Sequence, residues 1–283
     1  MSKIKGFFSF FGLVFTQVAA PTMVIAMMEL VLSRMGLLTT GSWQFYLLHL
    51  LLLLPCLLVL TPAGYFSDKH PKEKVLLWTT VLSLPVSGLL TLSAFWGSFP
   101  LAYVSIGLFF ILQAFQAPAK NGYMKELMGV RYLSTGSGIL MIVTFVSIVL
   151  SAGGVAVVFD RVVPPTIDFW NLYQSLLPVT VAIAVIELIG ILFALRLPAI
   201  GAYDEFLKFP WNKYFNLKFA RRKVYKSWKN RAVRQSIIGL SMFWVMIFLM
   251  FFVVQEKFIT GDLLHGDLAA AQFSKRRLTL TTS

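Results

Sequence analysis

Two apolar runs, 43–63 and 75–96, flank a short stretch of a different kind: Gly64-Tyr-Phe-Ser-Asp68-Lys69-His70-Pro-Lys72-Glu73-Lys74. Each run matches the roughly 20 mostly apolar residues that a bilayer-crossing helix needs. In hydrocarbon the backbone must satisfy its own hydrogen bonds, so runs of this length read as helices. The acid-and-base stretch between them cannot lie in hydrocarbon and marks a membrane face. The pattern recurs along the chain. The sequence is 58% hydrophobic and 13% charged, with mean hydropathy +0.77, against about 45–50% and about 25% in soluble domains. The excess comes in repeated runs rather than as one oversized core, which points to an all-α integral membrane protein.

Seven spans are expected, at about 7–28, 43–65, 75–96, 101–119, 136–158, 176–197 and 236–254. The first is longer than the apolar part of a secretory signal and lacks a small-residue cleavage site, so it reads as a retained helix. Loop lysines and arginines set the orientation. With the N-terminus inside, the inner segments hold Lys3, Lys5, Lys69, Lys72, Lys74, Lys120, Lys125, Arg131 and the eleven basic residues between Arg196 and Arg234. The outer segments hold only Arg34, Arg161, Lys257, Lys275, Arg276 and Arg277. The expected organisation is a six-helix unit over 1–197, a basic amphipathic cytoplasmic loop over 198–235, a seventh helix over 236–254 and a polar tail over 255–283.

The net charge of +13 would favour nucleic acid in a soluble protein. Here most of it lies in the 198–235 loop, between spans, where anionic lipid is the first partner met. In that loop Trp211, Tyr214, Tyr225 and Trp228 alternate with lysines and arginines. This is the composition of a helix lying in the membrane interface, and no nucleic-acid partner is expected. Cys56 is the single cysteine, and His49, His70 and His265 are scattered. The sequence therefore points to no disulfide framework, metal or cofactor.

Polar residues inside the spans are the candidate functional groups. Gln17 precedes Pro21 in the first span. Gln113 and Gln116, three apart, share a helix face in the fourth. Each could line a polar cavity or hydrogen-bond between helices. Pro118 should end or kink the fourth helix, leaving Lys120 at headgroup level. Glu187 lies mid-span in the sixth, where an ionised acid costs roughly 2.5–3.5 kcal/mol on insertion scales. It reads either as a proton or substrate site, or as a neutral carboxyl bonded to a neighbour. The small residues of the fifth span, among them Gly136, Gly138, Gly153 and Gly154, read as a packing surface.

The 64–74 stretch, Gly-x-x-x-Asp-Lys followed by further basic residues, resembles the loop between helices 2 and 3 of the major facilitator superfamily. Phe8-Ser-Phe-Phe-Gly12, Pro118-Ala-Lys120-x-Gly122 with Glu126-Leu127, Gly153-Gly154 leading to Asp160, and Lys229-Asn-x-x-Val-Arg234 leading to Gly239-x-Ser-x-Phe-Trp244 narrow the likeness. They resemble its lysophospholipid-transporter branch, over about 1–260. The resemblance implies a secondary transporter of the bacterial inner membrane that moves lysophospholipid from the outer to the inner leaflet. It implies gating roles for Asp68, Lys69, Lys72, Lys120 and Glu126, beside the cavity candidates Gln17, Gln113, Gln116 and Glu187 read from the spans themselves. It implies as partners a second six-helix half and an acyltransferase. Two departures stand out. Leu13 and Val14 occupy the place of the branch's Asp-Asn pair. The chain also holds one half plus a seventh helix, so a truncated form is expected. A transporter of a drug or metabolite, and a non-transporting remnant, are the alternatives. No His precedes an Asp by five residues and no serine elbow occurs, so an enzyme is not expected.

Overall fold

The computed structural model describes residues 2–34, 43–163 and 174–199, and twelve single positions between 225 and 246. Every element among the described residues is helical: α1 Ser2–Arg34, α2 Trp43–Lys69, α3 Lys72–Trp96, α4 Phe99–Met128, a 3-10 turn Val130–Tyr132, α5 Leu133–Val162 and α6 Leu177–Ala194. Five of these helices are long and apolar enough to cross a membrane, and α2 adds the apolar stretch Tyr46–Pro55. The protein is an all-α, multi-pass membrane protein. The chain divides into two units, Met1–Phe209 and Pro210–Ser283. In the second, the described positions, from Tyr225 to Met246, are helical and exposed. The rest of the expected basic loop, most of the seventh span and the tail lie outside the described residues.

Helices α1 to α5 outrun the expected spans for local reasons, whereas α6 stops three residues before the end of its own. The polar stretch at 64–74 is mostly helix. Its first part is the last turn and a half of α2, with His70 N still donating to Phe66 O at 3.1 Å. Pro71, at φ −54° and ψ 124°, turns the chain directly into α3. Pro118 does not end its helix either. α4 continues to Met128, so Lys120 sits more than two turns inside the helix rather than at its end. The breaks on either side of α4 fall at glycine. Gly97 and Gly129 take φ of 64° and 70°, which side chains with a Cβ adopt only at a cost.

Several hydroxyls inside the membrane are satisfied within their own helices. Thr16 donates to Leu13 O at 2.9 Å, Thr79 to Val75 O at 2.8 Å and Thr80 to Leu76 O at 2.7 Å, the back-bonding that Ser and Thr use in helices.

Packing has an internal order. α1 packs on α5 and α6, α4 packs on α2 and α3, α3 packs on α6, and α1 meets α4. Exchanging α1, α2, α3 for α4, α5, α6 returns these pairs, while the smaller contacts of α4 with α5 and of α2 with α3 have no counterpart of similar extent. The start of α1 and the end of α4 both reach Pro198: a Cβ on Gly6 would stand 2.7 Å from its Cγ, and the Tyr123 hydroxyl donates to its carbonyl at 2.9 Å. The two triplets therefore run in opposite directions. The core between them holds Phe10, Leu13 and Val14 of α1, Val75 and Leu76 of α3, Ala119 and Tyr123 of α4, and Ala194 of α6.

Close approach at the centre depends on glycine. A Cβ on Gly190 of α6 would stand 2.8 Å from Thr16 Oγ1 and 3.2 Å from Thr80 Cγ2, whereas one on Gly88 of α3 would meet nothing within 4 Å. Gly190→Val should lower stability by about 1–3 kcal/mol, the usual range for overpacking. Gly88→Val should leave it nearly unchanged. Thermal unfolding of the two variants in detergent checks the contrast.

Candidate functional site

Two polar clusters lie on the elements just described: one where α3 begins and α4 ends, the other midway along the bundle.

At the first, Lys72 Nζ lies 2.5 Å from Glu126 Oε1. The Lys72 stem runs over Gly122, where a Cβ would come within 2.6 Å of Lys72 Cε and 2.8 Å of Cδ. The glycine of the Pro-Ala-Lys-x-Gly motif is thus the bed of this lysine. One turn before Glu126 on the same helix, Tyr123 stacks on Phe10 of α1 at 5.2 Å, in addition to holding Pro198. The cluster joins α1, α3, α4 and the segment after α6. It also keeps unmet capacity: Glu126 Oε2 and Glu73 Oε2 are buried without hydrogen-bond partners among the described residues.

Asp68 and Lys69 stay outside it. Asp68 is exposed in the last turn of α2 and makes no side-chain hydrogen bond or ion pair among the described residues. An acid there opposes the helix dipole, whereas Lys69 beside it is favoured.

The second cluster is built around α1 and α3. Gln17 is almost fully buried, and its Nε2 donates to Thr80 Oγ1 at 2.9 Å. Gln113 Nε2 of α4 donates to Gln17 O at 2.9 Å. One turn from Thr80, the Ser83 hydroxyl is hydrogen-bonded to Glu187 Oε2 of α6. Ser147 of α5 donates to Phe15 O at 2.7 Å. Glu187 and Lys120 act on each other electrostatically. Along α4 the Cα–Cβ bonds tilt toward the helix N-terminus, which aims Lys120 away from the nearer helix end. Gln116 lies between Gln113 and Lys120 on the same helix face. It is buried with neither amide atom partnered among the described residues, and Gln17 Oε1 is likewise unpaired. Leaving such groups unpaired costs about 1–3 kcal/mol each, so the junction retains polar capacity that its own side chains do not fill.

The sequence-derived candidates thus fall into three groups. Lys72 and Glu126 meet directly. Gln17 and Gln113 meet through the α1 backbone, Gln116 lies on the same α4 face, and Glu187 is held by Ser83 and not by Lys120. Asp68 and Lys69 join neither cluster. Sequence reasoning missed Thr80 and Ser83, which hold the two key side chains. Their signal was present: Thr80, Ser83 and Ser87 form a hydroxyl stripe at helical spacing. It also missed Tyr123 and Glu29, whose Oε1 is buried without a partner among the described residues in the last third of α1.

In comparisons with known proteins, the lysophospholipid transporter LplT of Photorhabdus laumondii subsp. laumondii is 26% identical over 203 residues. These are 72% of this chain and 46% of that protein. The chain thus spans about half the length of the curated relative it matches. No family model matches the sequence, and no solved structure matches it. The chain is a multi-pass helical membrane protein similar, over most of its own length, to that transporter.

The Lys72–Glu126 contact should behave as a coupled pair. Glu126→Leu alone removes the carboxylate from beside a nearly buried ammonium and should cost about 2 kcal/mol, less than the loss at a fully buried pair. Lys72→Met with Glu126→Leu should recover much of that loss. A double-mutant cycle on unfolding in detergent measures the coupling.

Proposed function

We propose that this chain is the first six-helix half, the joining loop and the seventh helix of a major facilitator transporter that moves lysophospholipid across the bacterial inner membrane. The observation that carries the reading is the 203-residue similarity to a lysophospholipid transporter. The exchange of packing pairs between two inverted three-helix sets supports it, since such nested repeats build each half of these transporters. The charge distribution supports a cytoplasmic N-terminus.

In this reading 1–197 is the transporter half, and the basic loop 198–235 rests on anionic lipid. A second six-helix half completes the central cavity opposite α1 and α4. The Lys72–Glu126 cluster closes the cytoplasmic end. Asp68 and Lys69 stand ready for a contact that the complete transporter provides. Lys120 meets the lipid phosphate from the inner side, with Gln17, Gln113, Gln116 and Glu187 deeper in the path. Leu13 and Val14 are core residues here, so headgroup capture falls to the α4 and α6 side chains rather than to an acid in α1.

Uptake of labelled lysophosphatidylethanolamine by spheroplasts tests this, with the chain co-expressed with a second six-helix half. Uptake above the vector control is expected. Lys120→Ala or Asp68→Ala should lower the initial rate by about tenfold or more, the effect of ~1.4 kcal/mol on the barrier. Absence of uptake with the second half present would overturn the proposal.

A further inference from the structure

Gln116 of α4 is the polar side chain this bundle provides for least. It is about 1% exposed, and neither Oε1 nor Nε2 has a hydrogen-bond partner among the described residues. Two contacts bracket it along the seam between α1 and α4: Tyr123 on Phe10 toward one end, and Gln113 Nε2 to Gln17 O toward the other. Gln17 is as deeply buried. Its Nε2 is spent on Thr80 while its Oε1 stays unpaired among the described residues. Thr80 in turn gives its own proton to Leu76 O.

The backbone adds to this. Pro21 lies inside α1 and Pro118 inside α4. A proline has no N–H to give to the carbonyl four residues before it. Pro21 therefore frees the carbonyl of Gln17, to which Gln113 donates instead. Pro118 frees that of Ala114, two residues from Gln116. The junction thus combines an amide donor with acceptors, all of them neutral, so no charge there matches an ion. A hydroxyl, with one proton and two lone pairs, answers both kinds of group at once. Lys120 lies four residues further along α4, a rise of about 6 Å. In a 1-acyl lysophospholipid the phosphate ester and the free hydroxyl stand on adjacent glycerol carbons. A phosphate at Lys120 places that hydroxyl within reach of the next turn.

We propose that Gln116, together with the acceptor Gln17 Oε1, binds the unesterified glycerol hydroxyl of a lysophospholipid, and that this contact separates lysophospholipids from lipids whose glycerol is fully acylated. The transport reading supplies this ligand, and the assignment rests on it: Lys120 takes the phosphate and Gln116 the hydroxyl. The hydroxyl oxygen accepts from Gln116 Nε2, and its proton goes to Gln17 Oε1 or to the Ala114 carbonyl. A lipid without that hydroxyl leaves the buried amide unpaired. A site built for a hydroxyl rejects the analogue that lacks it more sharply than an apolar pocket can.

Equilibrium binding to the purified full chain in a neutral detergent tests the site without any transport. The probe is labelled 1-acyl-lysophosphatidylethanolamine, displaced by itself, by its 2-deoxy analogue with the same tail and headgroup, or by free glycerol. In the parent the 2-deoxy analogue should need about tenfold higher concentration or more, the effect of one hydrogen bond at a buried amide. Gln116→Leu should bind the two lipids alike, at the parent's affinity for the 2-deoxy analogue, and Gln116→Asn should keep part of the preference. Gln116→Leu removes an unpaired buried amide, so its unfolding temperature should be no lower than the parent's, and weaker binding then reports the contact and not the fold. Equal affinities of the parent for the two lipids would overturn the proposal. So would a preference that survives in Gln116→Leu. Displacement by glycerol at lipid-like concentrations would make this a site for free polyols and overturn the lipid assignment. A hydroxyl-dependent preference in a chain that shows no uptake with a second half would defeat the transport reading and leave the site standing. Uptake of both lipids at the same rate would do the reverse.

Discussion

A polar side chain in hydrocarbon has no water to fall back on, and this bundle is arranged around how few partners it can supply. Gln17 is the clearest case. Its amide nitrogen reaches Thr80 on α3, and its backbone carbonyl accepts from Gln113 on α4. Two hydrogen bonds around one residue thus fix three helices at the same depth. Gly190 completes the point of closest approach by letting α6 rest on Thr16 and Thr80. With α1, α3, α4 and α6 held there, α2 and α5 are left on the flanks, and α5 exposes large side chains such as Phe145, Val149 and Leu150.

The same economy shapes the end of the bundle where α3 begins. A lysine that is 7% exposed has to meet an acid, and Glu126 supplies it at 2.5 Å. Its stem must also lie somewhere, and Gly122 leaves the room. Tyr123 then ties the segment after α6 to α4 through Pro198. This end is closed by specific contacts, although Glu73 Oε2 and Glu126 Oε2 stay unpartnered there, and the mid-bundle junction keeps amide atoms without partners among the described residues. Specific closure at one end and unfilled polar capacity in the middle are what a helical bundle needs if a polar group is to enter and leave its interior. Interfaces of this kind hold two discrete arrangements more readily than a continuum.

The spans were legible because the bilayer imposes a length and a polarity that no soluble fold imposes, so the apolar runs alone located α1 to α6. Their ends were not. Charged residues at 64–74 look like loop, yet Asp68 and Lys69 finish α2 and Lys72 starts α3, because a helix that leaves the hydrocarbon can continue in water. Pro118 looks like a terminus, yet a proline within a packed membrane helix can be accommodated without ending it. Individual polar residues were legible as costly groups, and Gln17, Gln113, Gln116 and Glu187 all prove to face protein. Their partners were not legible. Thr80 and Ser83 are ordinary hydroxyls until a second helix places an amide or a carboxyl beside them. The pairing of Lys72 with Glu126 spans 54 positions, which no local pattern encodes.

The account rests on the start of α1, the start of α3 and the end of α4 sharing one membrane face, with the end of α1 on the other. Site-directed labelling measures this directly. Single cysteines at Arg34 and Lys74, both exposed, would be placed in a Cys56→Ser background and treated with a membrane-impermeant maleimide. In right-side-out vesicles Arg34→Cys should label and Lys74→Cys should not, and inside-out vesicles should reverse the pattern. Labelling of both positions from the same side would contradict the arrangement and everything built on it.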